Sequence, residues 1–317
     1  MDTKHVVLMT YGEPPTPSFK EQLVYSWRIL LGLTRTVAPI PKSLIPLIAL
    51  ARAHGRRRMW RDHGYGSPLE ALTRLQAARL QGALEALDRE ATWSAKVAFE
   101  FRRPFLAETL SAIPIDEPVC VVPMYAADSA FTHALSRQGA AMHIARHPRK
   151  APVHVLGAIE PEALAAISAA HLKDSLKDDS GWRGERVALM LAAHGTLIEP
   201  VRPMETGLLE TTRLCEAVRR QLASEFGLVS NGWLNHTRGG RWTDPPMDVA
   251  LRRVIEAGLS QVVYFPYGFL ADNAESQLEG EMALRAQPGL KARAVPCLND
   301  SPRLADAIAG LVVKLDT

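Results

Sequence analysis

Short apolar runs rich in β-branched residues recur along the chain, with helix-length stretches between them. His5–Thr10, Ala95–Glu100, Val119–Pro123 and Pro152–Leu156 read as buried strands, and so do Arg186–Ala193, Leu228–Leu234, Gln261–Pro266 and Ala292–Pro296. Helix-like patterns cover Pro68–Arg89, Pro104–Ser111, Ser129–Arg146, Pro161–Lys177, Met204–Phe226, Pro246–Ala257, Asp272–Arg285 and Pro302–Lys314. Strand and helix in alternation predict parallel sheets with helices on both faces. These strands could form one sheet or two four-stranded lobes. The polar, Gly-containing stretch Asp174–Arg186 reads as a surface connection before a new βα series, which favours two α/β lobes, residues 1–150 and 151–317. No repeat is visible at the level of residue identity, and the final helix could pack on either lobe.

One segment breaks this rhythm. From Phe19 to Trp60 the chain is apolar, punctuated by proline and basic toward its end, with Trp27, Leu30, Leu31, Leu33, Ile45, Leu47 and Ile48 set against Arg56, Arg57, Arg58 and Arg61. It predicts an amphipathic helix pair capping the first lobe. The same pattern suits an apolar lip over a flat ligand, or a peripheral membrane contact.

Composition narrows the class. The 317 residues are 47% hydrophobic, 22% charged and only 6% aromatic, as in an ordinary globular protein and unlike a stacking-based nucleic-acid binder. With 37 basic and 34 acidic residues the net charge is +3, so no global field draws the chain to nucleic acid. Cys120, Cys215 and Cys297 lie far apart with no CxxC pair, which argues against a cysteine-only metal site and for a reducing compartment. No run approaches the roughly 20 apolar residues of a membrane span, and the N-terminus lacks the layout of a signal peptide. The expected location is the cytoplasm.

Ligands of parallel α/β sheets bind beyond the carboxyl ends of the strands. Three strand ends carry candidate chemistry: Met9–Pro15 after the first, Ala192–Thr196 after the fifth, and Pro266–Glu275 after the seventh. His194 ends an apolar strand and precedes a glycine; it is either a structural hydrogen-bonder or a neutral imidazole able to bind Fe²⁺ or accept a proton. Asp272, Glu275 and Glu279 would share one helix face, either as capping carboxylates or as a track for an incoming cation. Ser67 before Pro68 is a helix start, while Tyr11, Tyr125 and His133 read as half-buried polar groups unless a ligand lies beside them. The loop Arg238–Trp242 is basic and Gly-rich, and could hold any anion.

Taken in order, these pieces resemble the ferrochelatase family from end to end: Tyr11-Gly12-Glu13-Pro14, Gly66-Ser67-Pro68-Leu69, Phe101–Phe105, Ala193-His194, Arg238-Gly239 with Trp242 and Pro245, and Pro266–Phe269 running into Asp272-x-x-Glu275. The resemblance implies two Rossmann-like lobes, each a four-stranded parallel sheet flanked by helices, with a porphyrin cleft between them. It implies insertion of Fe²⁺ into a porphyrin in haem biosynthesis, with Fe²⁺ as substrate and no prosthetic group. His194 matches the family's metal-site histidine, Glu275 its partner, and Glu279 the acidic track behind it; the next track position is Ala283. Tyr11 is similar to the tyrosine of coproporphyrin-type members, which favours coproporphyrin III over protoporphyrin IX. Arg28 falls where that branch has an arginine for propionates, Ser67 on a porphyrin-contacting serine, and His133 near a tyrosine lining the cleft. The family usually reads Asp-His-x-Glu where this chain has Asp272-Asn273-Ala274-Glu275. A non-catalytic porphyrin- or haem-binding relative therefore stays in view, as does a cobalt or nickel chelatase of another tetrapyrrole. The partners implied are porphyrin and Fe²⁺, without nucleic acid, for a monomer open to a transient membrane or haem-acceptor contact.

Overall fold

A computed structural model describes residues 3–36, 40–200, 203–235 and 240–315. The first half of the chain runs β1 (Thr3–Thr10), α1 (Phe19–Thr36), α2 (Ile45–Asp62), α3 (Leu69–Leu87), β2 (Thr92–Phe99), α4 (Leu106–Ser111), β3 (Val119–Pro123), α5 (His133–Arg146) and β4 (Val153–Val155). After α6 (Pro161–Ser175) come β5 (Gly184–His194), α7 (Leu208–Leu222), β6 (Phe226–Leu234), α8 (Met247–Glu256), β7 (Gln261–Phe265), a π-helical turn (Ala274–Glu279), α9 (Gly280–Arg285), β8 (Lys291–Ala294) and α10 (Pro302–Leu315).

The strands form two four-stranded parallel sheets of the same order, β2-β1-β3-β4 and β6-β5-β7-β8. The first sheet extends past residue 150, because Val153–Val155 pairs with Val119–Val121. β1 and β5 are central, and both faces of each are covered. Val6 and Leu8 pack toward α3, while Val7 and Met9 pack toward α4. In β5, Val187–Ala193 are buried without a break, the run expected of a strand with helices on both sides. Burying each such Val or Leu contributes about 1.5–3 kcal/mol.

The two sheets share one apolar core. Leu80 and Leu84 of α3, Leu164 and Leu172 of α6, Leu214 and Val218 of α7, and Leu304 and Ile308 of α10 join it. The final helix packs back on the first lobe, against Leu8 and Leu80. Polar groups reinforce the seam: Gln76 of α3 donates Nε2 to the carbonyls of Leu270 and Asn299 at 3.1 and 2.9 Å.

The segment that broke the pattern is the expected helix pair. α1 and α2 close on Leu23, Leu30, Leu31, Ile45, Ile48 and Ala49. Trp27 and Leu47, named among the apolar residues of the segment, face outward with Val24, Leu44 and Leu50. None of the helices searched among the described residues is long and apolar enough to cross a membrane.

Candidate active site

In each sheet the chain order reverses beside the central strand, between β1 and β3 and between β5 and β7. A crevice opens at such a reversal because the flanking loops leave in opposite directions. His194 ends β5, and Glu275 lies on the loop after β7. The two therefore flank the reversal of the second sheet, while Tyr11 and Tyr125 flank that of the first.

β5 is buried from Val187 to Ala193, and His194 at its end emerges with 53% of its side-chain surface open. Gly195 makes the turn there. Its N–H donates to Leu234 O at 2.8 Å, and a Cβ at this position would lie 1.8 Å from Asn235 Oδ1. A side chain here would push β5 off β6 and swing the imidazole away.

Glu275 is held by a dense polar turn. Asp272 accepts from Cys297 N at 2.9 Å and Asn299 Nδ2 at 2.8 Å. Asn273 Oδ1 accepts from the amides of Glu275 and Ser276 at 2.9 and 3.1 Å, and its Nδ2 donates to Ala271 O at 3.0 Å. Tyr264 OH donates to Ser276 O at 2.9 Å, and Gly280 lies so close to that phenol that a Cβ would sit 2.3 Å from its oxygen. The result is a π turn, a rare winding frequent at functional sites.

The turn aims Glu275 at His194. His194 Nδ1 lies 2.7 Å from Oε1 and 2.9 Å from Oε2. An Nδ1–H donated to the carboxylate leaves Nε2 as the nitrogen that can offer a lone pair or take a proton. Burial by itself would lower the imidazole pKa, but the charge and hydrogen bond of Glu275, with the charge of Glu279, raise it above its ordinary value. Burial and the charge of Glu275 in turn push the Glu279 carboxyl well up.

The acidic row differs from the one-face reading. Asp272 precedes the turn and its carboxylate is consumed by Cys297 and Asn299, so only Glu275 and Glu279 follow one another into the cleft region. Among the described residues no three His, Cys, Asp or Glu side chains form a ready-made metal cluster; Glu279 ends the π turn four residues after Glu275 and lies near enough to act by charge on His194. Asn273, where the family usually has histidine, is a buried helix cap.

On the opposite wall, burial pushes the Tyr11 phenol well up, helped by the charges of Glu13 and Glu275. Glu275 is therefore near enough to act on Tyr11 through its charge. Arg28 donates Nη1 to Phe101 O at 3.0 Å and stacks over Phe105, 4.7 Å from the ring centre. Burial, then Arg103 and Arg102, lower its pKa against the opposing charge of Glu108; Arg102 is itself paired with Glu21 and Glu70, and Arg103 with Glu108.

Ser67 and His133, expected to line the porphyrin site, are both buried. Ser67 donates Oγ to Glu13 Oε2 at 2.6 Å. His133 is 0% exposed at the start of α5, with its ring edge-on to Tyr125. The desolvation that hides it also lowers its pKa. Arg238 and Gly239 lie outside the described residues; the chain resumes with Gly240, and Trp242 pairs antiparallel with Leu197.

Sequence reasoning missed two carboxylates. Glu13 belongs to the strand-end motif with Tyr11 and is 3% exposed. Glu100 is the last residue of a predicted strand; one of its oxygens is buried without a hydrogen-bond partner, and burial raises its pKa to about 7. The signal for both was an acidic residue at the carboxyl end of an apolar strand.

A family-level sequence profile described as Ferrochelatase matches residues 3–315. A Ferrochelatase of Stenotrophomonas maltophilia is 26% identical over 325 residues, covering 97% of this chain and 96% of that protein. One of Neisseria meningitidis serogroup A is 24% identical, covering 96% and 92%. Among solved structures, SirB from Bacillus subtilis with Fe³⁺ superposes with a TM-score of 0.56 at 11% identity, over 99% of this chain and 95% of that one. CbiX, described as the terminal enzyme for biosynthesis of siroheme in denitrifying bacteria, superposes with a TM-score of 0.55 at 15% identity, covering 99% of both chains. The sequence profile, spanning nearly every residue and both halves of the cleft, places this chain in the ferrochelatase family.

Proposed function

We propose that this protein inserts Fe²⁺ into a porphyrin held between the two lobes, and that coproporphyrin III serves better than protoporphyrin IX. The observation that carries the reading is the His194–Glu275 pair, a two-oxygen carboxylate contact on an imidazole at the mouth of a parallel sheet. Insertion exchanges two pyrrole protons for one Fe²⁺, so the site must hold a cation and accept protons. Glu275 supplies anionic oxygen to the arriving Fe²⁺, and His194 Nε2 faces the reaction as nitrogen ligand or proton acceptor. Glu279, four residues on, extends the negative potential behind the pair and passes a proton or the ion to Glu275.

Tyr11 forms the other face of the slot, and the outer face of α1 and α2 provides an apolar lip. Arg28 has no carboxylate partner among the described residues, and its guanidinium keeps N–H donors beyond the one given to Phe101. It anchors a propionate by a charge-assisted hydrogen bond. The preference for coproporphyrin, which carries more propionates than protoporphyrin, rests on Tyr11 and on this one arginine. Ser67 and His133 support these walls from behind.

Anaerobic turnover with coproporphyrin III and protoporphyrin IX side by side tests the proposal. Fe²⁺ insertion is expected with both and faster with the first, and His194→Ala should abolish it. Activity retained in that variant overturns the assignment of the site. Bound haem with no turnover of free porphyrin would instead identify a haem-binding relative.

A further inference from the structure

Glu13 has a part in this site that neither the family motif nor the reaction chemistry assigns. Its carboxylate is buried in the first lobe, yet three separate segments meet on it. Oε2 accepts from Ser67 Oγ at 2.6 Å, just ahead of α3, and from the backbone N–H of Ala274 at 2.9 Å, in the second lobe. Oε1 faces Arg56 Nη2 of α2 at 3.5 Å. Arg56 is fixed in turn by Gln22 of α1, 3.1 Å from its Nε, and lies over the rings of Tyr25 and Trp60.

The first amides of any helix lack partners within it. At the π turn these are Ala274, Glu275 and Ser276. Asn273 serves the last two, and Glu13 serves the first from the other lobe. Neighbouring contacts run the same way: Trp60 packs on Ala274 and Leu278, and Tyr65 OH donates to Gln277 Oε1 at 3.3 Å. Removing a carboxylate from water is costly unless its hydrogen bonds are replaced. Here both strong bonds fall on one oxygen, and one of them ends on the residue before Glu275.

We infer that Glu13 is a positioning residue, a clasp that ties the first lobe and its covering helices to the π turn and thereby sets where Glu275 stands against His194. Porphyrin seating under α1 and α2 and metal handling at Glu275 are then mechanically joined through one side chain. The inference rests on the proposed chelatase reading for its effect on catalysis, but the clasp itself is a property of the unliganded protein.

The test compares Glu13→Ala and Glu13→Gln in the full-length chain by two measurements. The first is hydrogen exchange of the segment Ala274–Glu279 without substrates. Glu13→Ala should speed it by about tenfold or more, as expected for loss of a hydrogen bond, while β5 and β7 stay protected. Glu13→Gln can place its amide oxygen where Oε2 stands and should remain within about threefold of the parent, on the same bond-loss scale. The second is the split of steady-state parameters at saturating porphyrin. Glu13→Ala should raise the KM for Fe²⁺ severalfold and weaken porphyrin binding, read by fluorescence quenching, in parallel, and Glu13→Gln should restore both.

Unchanged exchange in Glu13→Ala overturns the clasp, and so does a Glu13→Gln variant as impaired as Glu13→Ala. If Glu13→Ala does not fold, Ser67→Ala takes its place: it frees one donor of Oε2 and should loosen the same segment to a smaller extent. A parent protein that inserts no Fe²⁺ sinks the chelatase reading, and the exchange result still judges the clasp.

Discussion

Glu275 grips the Nδ1 of His194 with both carboxylate oxygens, at 2.7 and 2.9 Å, across 81 positions of sequence. Neither group would hold that geometry alone. The imidazole is aimed by the tight turn at Gly195, and the carboxylate by the capped π turn.

The pair sets a pH dependence. Burial opposes the imidazolium, Glu275 outweighs burial, and the pKa of His194 rises. The neutral ring is the form that binds metal or takes a proton, so the rate should climb with pH through this raised pKa. Glu275→Gln should move that acidic limb to lower pH and reduce kcat by about 10²-fold. Stability follows the same sign: the pair's contribution is full below the ordinary histidine pKa and is lost as pH rises through the raised one. The cost of Glu275→Gln, measured by urea unfolding, should therefore be larger at pH 6 than at pH 9.

Asn273→Ala should destabilise the protein by about 1–3 kcal/mol, because it strips the partners from Glu275 N, Ser276 N and Ala271 O at once. The denaturation midpoint should fall with an unchanged m-value. A change within 0.3 kcal/mol, below the usual worth of a helix cap, would show that the cap is dispensable.

Gly195→Ala should cost about 3 kcal/mol and most of the activity, since the new Cβ meets Asn235 at its Oδ1 and, 2.9 Å away, its Cα. Gly157→Ala is the control: nothing lies within 4 Å of its Cβ position, and its melting temperature should stay near the parent's.

Glu100 makes a prediction of opposite sign to an ordinary salt-bridged acid. Burial raises its pKa to about 7 from the ordinary value of 4.5, so the folded state prefers the neutral carboxyl. Stability should decline as pH rises from about 4.5 to about 7. Glu100→Gln should remove on the order of 2 kcal/mol of that decline, allowing for solvent screening at the partly exposed side chain. Parallel stability–pH curves of variant and parent would contradict the assignment.

The strands were legible because a parallel strand buried on both faces must be apolar throughout. Val119–Pro123 agrees with its sequence reading at both ends, and the others differ by a few residues at their margins. The helix pair in Phe19–Trp60 was legible from its apolar spacing, but which residues formed the seam was not: Trp27 and Leu47 turn outward because the geometry of α1 on α2, not hydrophobicity, selects the contacts. His194, Glu275 and Tyr11 could be named from strand-end position and family likeness.

Sequence by itself determined the α/β class and favoured two four-stranded sheets over one, since both follow from local periodicity and connection length. Only the tertiary structure decided the rest. It took Asp272 out of the acidic row, made Asn273 a cap, buried Ser67 and His133, and joined Glu13 to Ala274 across the lobes. Each of these depends on which distant atoms meet a side chain once the two sheets dock, and that meeting leaves no trace in local sequence pattern.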